Sequence, residues 1–299
     1  MLEVRNVTKK FGEFTAVEAM SFTVESGSIY GLVGYNGAGK TTILKTAAGI
    51  YKPEVGEVLV DGEPVFENNA VKQQLFFVPD DLYFKPYATL EQTKQFYKAY
   101  YPAFSEETFG KLLKVFELDS RKRIHGFSKG MQRQAEMVLA LSTNPAVLLL
   151  DESFDGLDPA RRQLMRSMLL EYAADRACAV VLSSHNLHEL GDMCDRIGLI
   201  NGKKIVFDKA VDALSGSRCK FRLVFDRVLQ EADFAAVPHS RLVLDGKIVT
   251  LTVPGDADAA QARLSELSPL LIERFPQSVE EIFLDEMEGT EYDFKEIFG

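Results

Sequence analysis

The chain has 299 residues, 46% hydrophobic and 26% charged, enough for about two domains with real cores and too apolar for disorder. Its 34 Lys and Arg against 44 Asp and Glu leave a formal charge of −10, which excludes a surface built throughout to grip nucleic acid; no nucleic-acid partner is expected. Cys178, Cys194 and Cys219 make neither a disulfide framework nor a C-x-x-C metal pair and read as passive thiols of a reducing compartment.

In chain order, residues 2–8 and 20–24 alternate β-branched and apolar residues, which predicts strands, and 28–33 runs apolar into a glycine cluster. There, Gly34-Tyr35-Asn36-Gly37-Ala38-Gly39-Lys40-Thr41-Thr42 matches G-x-x-x-x-G-K-[ST] between a strand and a helix-compatible run. Glycines let backbone N–H groups wrap phosphates, and the helix start adds its positive dipole end. Lys40 supplies a movable positive charge, and the Thr41 hydroxyl a hard oxygen for Mg²⁺. A chance glycine-rich turn is the competing explanation, and the flanking elements weigh against it.

Residues 58–65 contain Asp61-Gly62, a hairpin-turn signal, and the strand FFVP at 76–79 leads to Asp80. Residues 89–141 have helical spacing with breaks near Pro102 and Gly126; Phe96, Tyr100 and Phe104 recur every four residues and are expected to pack on one face. Ser128 is a good N-cap in Phe127-Ser128-Lys129-Gly130-Met131-Gln132-Arg133, which by itself is an ordinary capped helix with an anion site at its start. Two buried-type strands, 146–150 and 179–183, flank a helical stretch at 159–174 opened by the capping pair Asp158-Pro159, a pattern for a parallel sheet. The first of these strands ends in Asp151-Glu152: beside a phosphate cradle, one carboxylate can hold Mg²⁺ and the next can take a proton from attacking water. The second ends in Ser183-Ser184-His185, followed by Asn186 and Glu189, a helix-start signal that leaves His188 on a helix surface. A hairpin over 197–207 turns at Asn201-Gly202.

Beyond the Ser215-Gly216-Ser217 linker, 221–226, 241–253 and 270–275 read as strands, and 257–267 and 278–287 as helices, a small α+β unit without catalytic spacing.

The order of cradle, Ser128–Gly130 loop, Asp151-Glu152, Gly156-Leu157-Asp158 and His185 resembles the nucleotide-binding subunit of ABC transporters over roughly residues 1–214. The resemblance implies an α/β fold. Its P-loop NTPase core has a mainly parallel sheet, an N-terminal antiparallel β subdomain and an inserted helical subdomain at about 88–145, with residues 215–299 as a C-terminal accessory domain. It implies that Phe11 stacks on adenine, residues 34–42 and Lys40 hold ATP, and Thr41, Asp80 and Asp151 serve Mg²⁺. It further implies that Glu152 polarises the hydrolytic water, His185 touches the γ-phosphate, and Asp158 contacts a second subunit, whose Ser128 and Gly130 complete the ATP site.

Phe127, Lys129 and Met131 depart from the usual Leu-Ser-Gly-Gly-Gln, and Asp80 stands where glutamine is usual, which predicts retained metal binding with altered coupling. Ser153-Phe154-Asp155 replaces the commoner Pro-Thr-Ser without a reading. The Ser-Lys-Gly-Met signature and the segment 279–287 resemble the branch exporting drugs, peptides or antibiotics. Expected partners are an integral-membrane permease, docked near Leu82, Tyr83, Phe84 and Tyr87, and a second ATPase subunit, identical or related. With no ~20-residue apolar run and no export pattern at the N-terminus, the expected location is the cytoplasmic face of the membrane. The alternative is an ATP-gated regulatory ATPase of the same superfamily without a permease; translation-linked relatives usually carry two cradles and chromosome-linked ones a long coiled coil, whereas this sequence has one cradle and no sustained heptads. A small-molecule kinase would not need the Ser128–Gly130 loop.

Overall fold

β1 (Leu2–Phe11) and β2 (Phe14–Val24) form an antiparallel hairpin, which β4 (Val55–Val60) and β5 (Glu63–Pro64) extend into a sheet of order β2-β1-β4-β5. Both hairpin strands run past the alternating segments 2–8 and 20–24. Register shifts between Val4 and Val7, Val7 and Lys9, and Lys9 and Lys10 break the two-residue period, so a pattern search sees only part of each strand. The structure is a computed structural model and describes residues 1–185, 190–215 and 218–276. The expected helix at 278–287, the linker glycine Gly216 with Ser217, and Asn186, His188 and Glu189 lie outside the described residues. The chain divides into two compact units, Met1–Asp208 and Lys209–Gly299.

A second sheet in the first unit has the order β10-β9-β3-β8-β7-β6, from β3 (Ile29–Val33), β6 (Leu75–Val78), β7 (Val147–Asp151), β8 (Ala179–Ser184), β9 (Arg196–Asn201) and β10 (Lys204–Ala210). β3, β7 and β8 are buried along their whole length, which is why they read as unbroken apolar runs. Parallel pairing sets Val33 against Ser184 and Asp151 against Ser183, so the carboxyl ends of β3, β8 and β7 finish on one edge. Open parallel sheets bind ligands at that edge, beside the strand where the chain order reverses, here β3. The Tyr30 ring stacks on Phe22 with centroids 4.8 Å apart and ties the two sheets together.

α1 (Lys40–Ala47) buries Ile43, Leu44 and Ala47 in the core shared by both sheets. α2 (Asn69–Lys72) is one turn capped by Asn68. α3 (Leu90–Tyr100), α4 (Glu106–Val115) and α5 (Lys129–Ser142) build a separate core from Leu90, Phe109, Phe116, Ile124, Phe127 and Leu139. Thr89 and Gln92 form a reciprocal capping box at the start of α3, and Ser105 and Ser128 cap the other two. The expected packing face of α3 is corrected: Phe96 and Tyr100 are exposed, whereas Tyr97 and Tyr101 contact Phe76 of β6 at 5.3 and 5.5 Å. The four-residue period is right, but it begins one residue later; Phe104, past the end of the helix, does pack on the helical core, beside Phe109. α6 (Pro159–Arg176) starts at Asp158, whose Oδ1 accepts from the Arg161 N–H at 3.0 Å.

In the second unit, β11 (Arg218–Val224), β12 (Arg241–Asp245), β13 (Ile248–Pro254) and β14 (Leu271–Pro276) form an antiparallel sheet of order β12-β13-β11-β14. α7 (Val211–Ser215) precedes it, and α8 (Ala257–Glu266) packs Ala260 and Leu264 with Phe221, Leu223 and Leu251.

Candidate active site

The turn from β3 into α1 has a shape only glycine supplies at its end. Gly39 is the helix N-cap at φ 113°, and a Cβ there would lie 2.7 Å from Val17 Cγ1 and 2.9 Å from the Ala16 carbonyl. Gly34 is close-packed but less tight, with a Cβ 3.0 Å from the Ile200 carbonyl and the Ala38 Cβ. Tyr35, Asn36 and Gly37 are exposed at the crest of the loop, and Ala38 is buried under it. Among the described residues no side chain caps α1 and no acid sits in its first turn, so its leading N–H groups suit an anion. Thr41 is exposed and Thr42 half-buried in that turn.

Lys40 is only 6% exposed: its Nζ donates to the Gly34 carbonyl at 2.7 Å and pairs with Glu152 Oε1 at 3.1 Å. Glu152 Oε2 lies 3.1 Å from His185 Nδ1, so a cation and an imidazole hold the two oxygens of one carboxylate. Glu152 takes a left-handed backbone, φ 46°, and its N–H is shared between the Ser183 carbonyl (3.2 Å) and hydroxyl (3.1 Å). That turn ends β7 and presents the carboxylate to Lys40.

Asp151 is fully buried. Its Oδ1 accepts from the Ser183 hydroxyl at 2.6 Å, while Oδ2 has no hydrogen-bond partner among the described residues. Burial pushes the carboxyl above its ordinary range; the Ser183 and Thr41 hydroxyls work against that, and the charges of Glu152 and Asp80 add to it. An orphaned buried oxygen beside a threonine hydroxyl and a second carboxylate is an all-oxygen donor set that fits Mg²⁺. The sign of the shift gives a test. A carboxyl with a raised native pKa stabilises the fold below its unfolded value, and that stability is lost as pH rises through the native value. Asp151→Asn should therefore gain about 1 kcal/mol in Mg²⁺-free urea titrations at neutral pH, the gain shrinking toward pH 4; a loss at neutral pH contradicts the orphaned-oxygen account.

Asp80, exposed at the end of β6, does not stand free: Arg133 of α5 donates to its Oδ1 at 2.7 Å and to the Pro79 carbonyl at 2.9 Å. Phe11 lies at the tip of the β1–β2 hairpin, 45% exposed, with its ring 5.2 Å from Tyr51 and 5.3 Å from the Lys9 ammonium. Ser128 and Gly130 are in a different place from the cradle. With Gly156, Asp158 and Arg161 they line a cleft of about 570 Å³, to which no residue of loop 34–42 contributes. The Ser128 hydroxyl accepts from the Met131 N–H at 3.2 Å.

Three contributors escaped the sequence reading. Ser183 joins Asp151 to Glu152, and only a strand register could reveal it. Asp155 brings a carboxylate within 4.8 Å of Glu152 and His185, while Ser153 and Phe154 before it are buried and act in packing. Arg133 stands on the helix face one turn past Gly130 and carries no local motif.

The family model for ABC transporters matches residues 17–155. Nod factor export ATP-binding protein I of Burkholderia lata is 30% identical over 95% of this chain and 95% of its own length. The chain belongs to the ABC transporter family. It is an ATPase of that family, on the side of the ATP-binding subunits. ABC transporter ATP-binding protein YtrB of Bacillus subtilis is 28% identical over 97% of this chain and 99% of its own. A solved ATP-binding subunit of an ABC transporter, 25% identical, superposes with a TM-score of 0.67 over 72% of this chain and 91% of that one. The P-loop NTPase α/β fold expected from the motifs is the fold observed. Among the described residues no helix is long and apolar enough to cross a membrane.

Proposed function

We propose that this ATPase energises a separate integral-membrane permease, an exporter, by closing into an ATP-dependent dimer at the cytoplasmic face of the membrane. The observation that carries the reading is the division of the site: Lys40, Asp151, Glu152 and His185 meet at one sheet edge, whereas Ser128 and Gly130 line another cleft. Each copy thus carries two half-sites, and a second copy placed head to tail completes both. The names of relatives that serve Nod factor export support the direction of transport. An aromatic groove lined by Tyr83, Pro86, Tyr87 and Phe96, just past Asp80, supports a docking place for an apolar permease helix. In this reading residues 1–214 are the ATPase domain, with 88–145 as its helical subdomain, and 215–299 are the accessory domain.

ATP binding exchanges the Lys40–Glu152 pair for a Lys40–phosphate pair, while the first N–H groups of α1 hold the phosphate oxygens and Phe11 stacks on adenine. Thr41 and Asp151, with Asp80 alongside, would hold Mg²⁺, which when bound would supply positive charge against the phosphates. Released from Lys40 and steadied by His185, Glu152 takes a proton from water as the water oxygen bonds to the γ-phosphorus and the β–γ bridging bond breaks, giving ADP and phosphate. Ser128 and Gly130 of the second copy offer a hydroxyl and helix N–H groups to the γ-phosphate.

Purification of the tagged full chain from detergent-solubilised membranes of its source should retain a multi-span membrane protein. Recovery with soluble partners only would favour the regulatory ATPase instead.

A further inference from the structure

Arg133 is 9% exposed, yet it spends both terminal nitrogens on the end of β6: Nη1 on the Pro79 carbonyl at 2.9 Å and Nη2 on Asp80 Oδ1 at 2.7 Å. A planar guanidinium that grips a carbonyl and the next side chain together fixes both the path and the charge of that segment. The Asp80 carboxylate is 55% exposed and, with Arg133, Lys129, Gln132 and Asp155, walls a cleft of about 370 Å³. Asp155, on the same cleft, has its carboxylate within 4.8 Å of Glu152 and His185, so the cleft adjoins the acids of the candidate site. Glu136, one turn farther along α5, is an acid on the same helix as Arg133. It is buried, accepts from the Tyr97 hydroxyl at 3.3 Å, and burial pushes it up to about 7, which weakens its competition for the guanidinium.

We propose that Arg133 is a positioning residue of the nucleotide site, which acts through Asp80: the pair, and not Asp80 alone, sets how much negative charge faces the polyphosphate and its cation. The inference rests on the ATP site proposed above. An amide at position 80 would bring no charge to neutralise, whereas an aspartate that shares its cleft with Asp155, itself within 4.8 Å of Glu152, needs a cation that stays in place. If Arg133 is removed, the uncovered carboxylate repels metal-free ATP and attracts Mg²⁺, so the two affinities move apart.

The test is binding of trinitrophenyl-ATP to the full chain, by fluorescence, in Mg²⁺ and in EDTA. Arg133→Gln should raise the ratio of the Mg²⁺ affinity to the metal-free affinity about tenfold. Arg133→Lys, which keeps the charge, should stay within about threefold of the unsubstituted ratio. In an Asp80→Asn background the Arg133→Gln change should move the ratio by less than about twofold. Equal losses in both buffers, or an undiminished effect in the Asp80→Asn background, would overturn the proposal while leaving the ATP site standing. Failure of the unsubstituted protein to bind the probe in either buffer would overturn the site reading itself.

Discussion

Glutamine in place of Glu152 is expected to cut ATP turnover by on the order of 10²–10⁴-fold while ATP binding is kept or strengthened. Two features make the expectation specific. Glutamine preserves the volume and the acceptor oxygen facing His185 but cannot take the water proton, so chemistry stops while the fold stands. It also dissolves the 3.1 Å ion pair that holds Lys40, so the ammonium reaches the phosphates without first leaving a carboxylate. Phosphate release under saturating ATP reads the first effect, and equilibrium nucleotide binding the second. Hydrolysis at the unsubstituted rate would remove Glu152 from the role of base.

Lys40→Met should weaken ATP binding by about a hundredfold, the equivalent of a charge-assisted hydrogen bond worth about 1.5–3 kcal/mol. Methionine matches the length of the stem and fills the same buried space, so the loss falls on the charge. The partner Glu152 keeps His185 as its remaining contact. The protein should unfold cooperatively, within a few degrees of the unsubstituted midpoint, and that midpoint should no longer rise with Mg²⁺-ATP. A variant that still gains full stabilisation from ATP would mean that the phosphates are held without the lysine.

What could be read in the chain before its structure divides along a physical line. The cradle, the Asp151-Glu152 strand end and the Ser128 cap are contiguous in sequence, since each is a local solution to a local problem: a tight turn, a strand end, a helix start. Residues 28–33, 146–150 and 179–183 were legible as buried strands because strands covered on both faces need apolar residues throughout. The site network is another matter. Ser183 reaches Asp151 through parallel pairing of β7 with β8, and Arg133 reaches Asp80 across 53 positions of sequence; neither contact has a spacing to recognise. The β1–β2 hairpin was cut short for a different reason. Its bulges, with Asn6 and Ala19 at positive φ, shift the side-chain alternation on which strand recognition depends. On α3 the residue type misled: Phe96 and Tyr100 are as aromatic as Tyr97 and Tyr101, and only the position of Phe76 decides which pair packs inward.

The ATP-dependent union of two copies is measured most directly by the solution mass of the full-length Glu152→Gln protein, by light scattering after size exclusion, with and without Mg²⁺-ATP. A shift from one copy of the 33.4 kDa chain to two on adding ATP, lost again when Ser128→Arg blocks the second half-site, is the result predicted. A mass of one copy under saturating ATP, with nucleotide demonstrably bound, would contradict it.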